Sequence, residues 1–170
     1  MRHISTLYDI LLVIHLMTAI VGFGAVFLNG VYGAKAKAAG GAVGLGIARA
    51  NLDVTKIGEY LIYSVPVWGI LLVITSKKAW DFSQMWISLS FLLFIVGLGI
   101  SHGVLLRNAK KMDALMEELV SAGPAPAAAG GPPPQVAQLE ALGKQQAMAG
   151  GVLNVLLIVI VVLMVFKPGA

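Results

Sequence analysis

Four long apolar runs set the limits on what this chain can fold into. Residues 7–32, 57–75, 85–106 and 151–166 hold only two Asp, Glu, Lys or Arg side chains between them, Asp9 and Glu59. A helix needs ~20 mainly apolar residues to cross a hydrocarbon core of ~30 Å, and 147–150 bring the last run to that length. None of the runs alternates with the period of two that a lipid-facing strand requires. The runs predict an all-α fold: an integral membrane four-helix bundle with short cytoplasmic helical extensions, built as a single membrane domain over 1–170.

Composition points the same way. The chain is 58% hydrophobic and 12% charged, whereas a soluble domain is about a quarter charged. Such a chain cannot cover itself for water. It has no cysteine, which excludes disulfides, thiolate metal sites and cysteine nucleophiles. The net charge of +4 does not indicate nucleic acid, because the basic residues flank apolar runs instead of gathering on one soluble face.

Those basic residues set a topology. Lys35, Lys37, Arg49, Lys56, Arg107, Lys110, Lys111 and Lys144 lie in the connections after the first and third runs, while Arg2, Lys77, Lys78 and Lys167 lie on the other side. The excess assigns the two longer connections to the cytoplasm and both termini to the outside of a bacterial plasma membrane. The first run is about twice the length of a signal-peptide core and Asp9 interrupts a basic start, so it is expected to be retained.

Between the runs, Gly40-Gly41 and Gly44-Leu45-Gly46 lie in a connection without the preceding strand or following Lys-Ser/Thr of a phosphate loop. A turn with a short interfacial helix is expected there. Met112, Leu115, Met116 and Leu119 recur at helical spacing and extend the third helix. The Ala/Gly/Pro-rich stretch 121–134 reads as a flexible linker. Beyond it Val136, Leu139 and Leu142 form a second stripe, and the two stripes either zip into an antiparallel stem or lie on the headgroups.

Polar residues within the runs are the candidates for chemistry. In the first run His15, Thr18, Ala19, Gly22, Ala25 and Asn29 share a face suited to close packing; in the third, Ser90, Gly97 and Ser101 make a weaker one. Thr18, Gly22, Pro66, Gly97 and Ser101 are the expected helix-packing residues. Pro66 has no N–H to donate to the Ile62 carbonyl and predicts a kink, with Ser64 and Tyr63 placed to compensate. Trp80, Trp86, Tyr8 and Phe166 fit an interfacial aromatic belt.

His15 and His102 invite a haem b between two imidazoles. Their depths argue against it: at 1.5 Å per residue His15 lies about 12 Å from one face and His102 about 7 Å from the other, leaving about 11 Å between their levels. His15 alone is retained as the candidate cofactor ligand, for haem b or, with His3 and methionines, for copper. Asn29, Glu59, His102 and Asn154 come near the inner ends of their helices and form a candidate intramembrane polar cluster. A Glu59–His102 pair there would fix register, with a proton relay or a snorkelling Glu59 as alternatives. No spacing supports a catalytic site or a multidentate metal site, and no residue is assigned to either.

The run Leu11-Leu12-Val13-Ile14-His15-Leu16, continuing through Gly22-Phe23-Gly24 to Asn29-Gly30-Val31-Tyr32-Gly33, resembles the opening of an actinobacterial integral-membrane family, domain of unknown function 2269. The likeness extends through Tyr63-Ser64-Val65-Pro66-Val67, Phe82-Ser83-Gln84-Met85-Trp86, Gly99-Ile100-Ser101-His102-Gly103-Val104, Gly131-Pro132-Pro133-Pro134-Gln135 and Phe166-Lys167-Pro168-Gly169-Ala170. It implies a multi-pass membrane protein and no particular activity. More distantly, His15 matches the early first-helix histidine of copper-resistance membrane domains and small b-haem bundles, although the further histidines of a dihaem bundle are missing. The expected function is a scaffold or accessory subunit of a membrane complex, for instance a respiratory one. Its partners are the lipid bilayer and either other subunits or further copies of the chain. The alternatives are a haem b or copper protein in electron transfer or cofactor handling, and an oligomeric transporter or channel.

Overall fold

A computed structural model describes residues 6–123 and 133–169. The described residues are helical throughout apart from short turns: α1 (Thr6–Phe27), α2 (Asn29–Ala39), α3 (Gly41–Thr75), α4 (Met85–Ile100), a π-helical stretch (Ser101–Leu106), α5 (Arg107–Ala122) and α6 (Pro134–Phe166). Consecutive elements merge into four apolar helices, Thr6–Ala39, Gly41–Thr75, Met85–Ala122 and Pro134–Phe166, of 34, 35, 38 and 33 residues. Each is long enough to span a membrane with more than ten residues to spare. Most of the expected linker, 124–132, lies outside the described residues.

Where a turn and a short interfacial helix are expected, the structure has the turn and a much longer helix. The connection 34–56 contains only one break, at Gly40, between α2 and α3. Gly40 and Gly41 adopt φ of 61° and 50°, values that an L side chain rarely takes. The Gly40 amide donates to the Ala36 carbonyl at 3.0 Å and closes α2. The alanines at 34, 36, 38 and 39 favour helix up to that point. From Gly41 onward the sequence is helical despite Gly44 and Gly46, because Gly44 is used for contact: a Cβ there would collide with the Ala36 carbonyl oxygen.

Contacts gather the chain into two compact units. The first contains Met1–Phe27, Val54–Val96 and Leu156–Ala170. Within it α1 runs antiparallel to the second half of α3, and the crossing is close because the residues are small. A Cβ on Gly22 would lie 3.1 Å from Leu61 and Ile62 atoms, and one on Gly58 would lie 2.9 Å from the Ala25 Cβ and 3.1 Å from the Gly22 carbonyl oxygen. One end of this unit is closed by aromatic rings. The Trp80 indole N–H donates to the Tyr8 hydroxyl at 2.9 Å, Trp80 and Trp86 meet edge to face at 5.4 Å, and the Lys167 ammonium sits 4.2 Å from the Trp80 ring centre. Ser76, 1% exposed, holds the turn beneath them: its hydroxyl donates to the Val73 carbonyl at 2.7 Å and accepts the Trp80 amide at 3.1 Å. Lys77 and Lys78 follow in the left-handed region, with φ of 52° and 66°.

The second unit contains Leu28–Asp53 and Gly97–Val155. Here α5 and α6 run antiparallel. The Asn108 amide donates to the Gln145 side-chain oxygen at 3.1 Å; ten residues on along α5 and ten back along α6, Gln135 donates to Glu118 at 3.0 Å. The register is therefore kept over the whole stretch. Met116, from the first sequence stripe, reaches over Gly44 of α3, with its Cε 3.7 Å from where a Cβ would stand. Around these contacts lie ion pairs. Arg49 bridges Asp113 at 3.0 Å and Glu117 at 2.8 Å, and Lys37 meets Glu140 at 3.1 Å. The polar spacing of α5, with Asp113 and Glu117 one turn apart, lets a single guanidinium fork between them.

Candidate functional site

His15 is the intramembrane ionisable side chain whose setting is most sharply defined. It lies midway along α1, half-buried against α3. Its Nδ1 stands 3.0 Å from the Val65 carbonyl oxygen. A carbonyl can only accept, so Nδ1 carries the proton, and in the neutral ring Nε2 keeps its lone pair. Val65 precedes Pro66, which stands inside α3 without ending it. A Cβ on Gly69, one turn on, would be 3.5 Å from His15 Cε1 and 3.9 Å from Phe91 Cζ of α4. The imidazole thus rests over Gly69 beside an aromatic ring.

The packing residues expected from the sequence behave differently from one another. Gly22 sits at the α1–α3 crossing, seven residues along α1 from His15, just as Gly58 is seven residues back along α3 from Val65. Thr18, between them, turns its hydroxyl onto its own helix and donates to the Ile14 and His15 carbonyls at 2.9 and 3.0 Å. Ser64 likewise donates to Leu61 at 2.7 Å, not to the Ile62 carbonyl that Pro66 deprives of a partner. A Cβ on Gly97 would lie 3.5 Å from Leu153 Cδ2. Ser101 opens the π-helical stretch.

The expected inner polar cluster is distributed over both units. Glu59 belongs to the first, and Asn29, His102 and Asn154 to the second. His102 lies in the π-helical stretch, with Nδ1 3.0 Å from the Leu98 carbonyl of its own helix. π-helical turns are uncommon and concentrate at functional positions, and the sequence gives no sign of this one. Among the described residues no three His, Asp or Glu side chains converge to hold a metal ion; His3 lies outside them. Sequence reasoning also missed Gly58, whose one available signal is its smallness on a helix otherwise lined by bulky residues, and Ser76, which looks like an ordinary turn residue.

A family model described as "Predicted integral membrane protein (DUF2269)" matches residues 9–168. The chain belongs to that family, and its four spans make it a multi-pass membrane protein. No curated protein and no solved structure matches it.

Proposed function

We propose that the chain is a scaffold or accessory subunit of a larger membrane complex, a respiratory one being an example. In this reading it sits in the bacterial plasma membrane with both termini outside. One observation carries the reading: well-placed polar side chains are spent on holding helices to one another and to the turn before α4. His15 is tied to the Val65 carbonyl, Tyr8 to Trp80, Asn108 to Gln145, and Arg49 to Asp113 and Glu117. Groups used in this way make a rigid frame, and in a membrane, where lipid gives helices no reason to associate, such links and small-residue contacts supply the cohesion. Native mass spectrometry after extraction in mild detergent tests the reading. A fixed-stoichiometry assembly with another membrane subunit, or with further copies of the chain, is expected; the chain emerging alone under the gentlest extraction contradicts it.

A second reading rests on His15. An imidazole whose Nδ1–H is held by a backbone carbonyl presents Nε2 as a ligand in fixed orientation, the arrangement commonly found at haem and metal sites. On this reading the chain binds haem b or copper and works in electron transfer or cofactor handling. The visible spectrum of the purified protein separates the two readings. A Soret band lost in His15→Ala supports haem, and a featureless spectrum after growth and purification with added haem rules it out.

A further inference from the structure

Arg107, Lys110 and Lys111 stand at i, i+3 and i+4 on α5, directly after an uncharged apolar run that ends at Leu106. Lys144 lies on α6 just before the uncharged run that begins at Ala147. The Asn108–Gln145 hydrogen bond fixes the two helices at this level. It sets Lys144 opposite Ala109, inside the turn that carries the other three cations. All four side chains are exposed.

The acidic residues of the same two helices are committed elsewhere. Asp113 and Glu117 are held by Arg49, Glu118 by Gln135 and Glu140 by Lys37. Among the described residues no ion pair reaches Arg107, Lys110, Lys111 or Lys144. Four positive charges therefore gather where the apolar surface gives way to polar helix. At that height the bilayer supplies phosphate groups, and each nearby Lys or Arg contributes about 1 kcal/mol of attraction to an anionic leaflet.

We propose that this four-cation turn is a binding site for the headgroups of anionic phospholipids at the end of the α5–α6 hairpin. The arginine supplies a fork to a phosphate, and the three lysines supply charge around it. Acyl chains of the same lipid lie along the apolar run that precedes Arg107. The site does not depend on which side of the membrane it faces, because its chemistry is set by sign of charge and by height.

The test uses the full chain in detergent. Native mass spectrometry is run with phosphatidylglycerol and with phosphatidylcholine of the same acyl length, and separately with inorganic phosphate and no lipid. Phosphatidylglycerol is expected to be retained preferentially, with affinity falling about fivefold for each cation removed in Arg107→Gln, Lys110→Gln, Lys111→Gln and Lys144→Gln. Lys77→Gln/Lys78→Gln, in the turn before α4, leaves it unchanged, and circular dichroism confirms that each variant is still helical. Equal retention of both lipids, no loss in any of the four variants, or equally strong binding of free phosphate overturns the proposal.

Discussion

His15 Nδ1 and the carbonyl oxygen of Val65 are joined at 3.0 Å across the α1–α3 seam, at the residue immediately before Pro66. The bond links a ring in one helix to the backbone of another at the point where the second helix loses a backbone donor. It also lies seven residues from the closest small-residue contact on either helix, so the bond and the Gly22–Gly58 crossing together fix one register.

Removing the ring should weaken this seam measurably. His15→Ala is expected to destabilise the protein by about 0.6 to 2 kcal/mol, the span typical of interhelical hydrogen bonds in membranes. Reversible unfolding in mixed micelles measures it. A change within error would show that the bond does not hold the two helices together.

The crossing itself makes a stronger demand. Gly22→Leu and Gly58→Leu must push apart backbones that already lie in contact, and overpacking of this kind costs about 1 to 3 kcal/mol. Gly99→Leu serves as a control, since a Cβ there meets nothing within 4 Å. Thermal unfolding of the three variants in one detergent, followed by circular dichroism, should place the midpoints of the first two below wild type and leave the control near it; midpoints equal to wild type would remove the crossing as a source of cohesion.

How far the sequence announced these features depends on the physics behind each. The four spans were legible because a membrane helix must be apolar along its whole length, and no tertiary accident can supply that. Gly22 was legible because it shares a face with His15 and Ala25. Thr18 shares that face as well, yet its hydroxyl bonds to Ile14 and His15 within α1, and helical spacing alone cannot tell a side chain that crosses the seam from one that folds back. In the connection after α2 a turn and short helix were legible but not their extent, because Gly44 and Gly46 signal loops in an isolated sequence, whereas Gly44 here admits the Ala36 carbonyl within an unbroken helix from Gly41. The α5–α6 register became visible only through Asn108–Gln145 and Glu118–Gln135, partners separated by the linker.

The turn before α4 yields a local prediction. Ser76→Ala removes a hydroxyl that is buried and bonded on both sides, and it leaves the Trp80 amide without that acceptor. A loss of about 1 to 3 kcal/mol is expected, together with a shift in tryptophan emission as Trp80 and Trp86 loosen. Unchanged emission and stability would mean that the turn is held by its backbone alone.

In the same turn, the Ser83 amide donates to Asp81 at 2.8 Å and holds its carboxyl below the usual aspartate range. Because the folded value is the lower one, the stabilisation is complete above the ordinary aspartate pKa and disappears as pH falls through the depressed value. The Asp81 titration, followed by NMR with specific labelling, should have its midpoint below that of a model peptide. Asp81→Asn should lose this acid-range dependence, and an unshifted midpoint would remove the Ser83 contact from the account.

Exposed and buried links should also differ in weight. Lys37 and Glu140 are 74% and 55% exposed at their side chains, so Lys37→Ala is expected to change stability by no more than about 1 kcal/mol. Unfolding midpoints at low and high salt would reveal a larger role.

The central claim is that the polypeptide crosses the bilayer four times, with α2–α3 and α5–α6 turning on one side and the 76–84 turn on the other. Since the chain has no cysteine, single substitutions Lys37→Cys, Lys78→Cys and Lys111→Cys can be probed in sealed vesicles with an impermeant maleimide. Lys37→Cys and Lys111→Cys are expected to be labelled from the same side and Lys78→Cys from the opposite side. Labelling of all three from one side would contradict the claim.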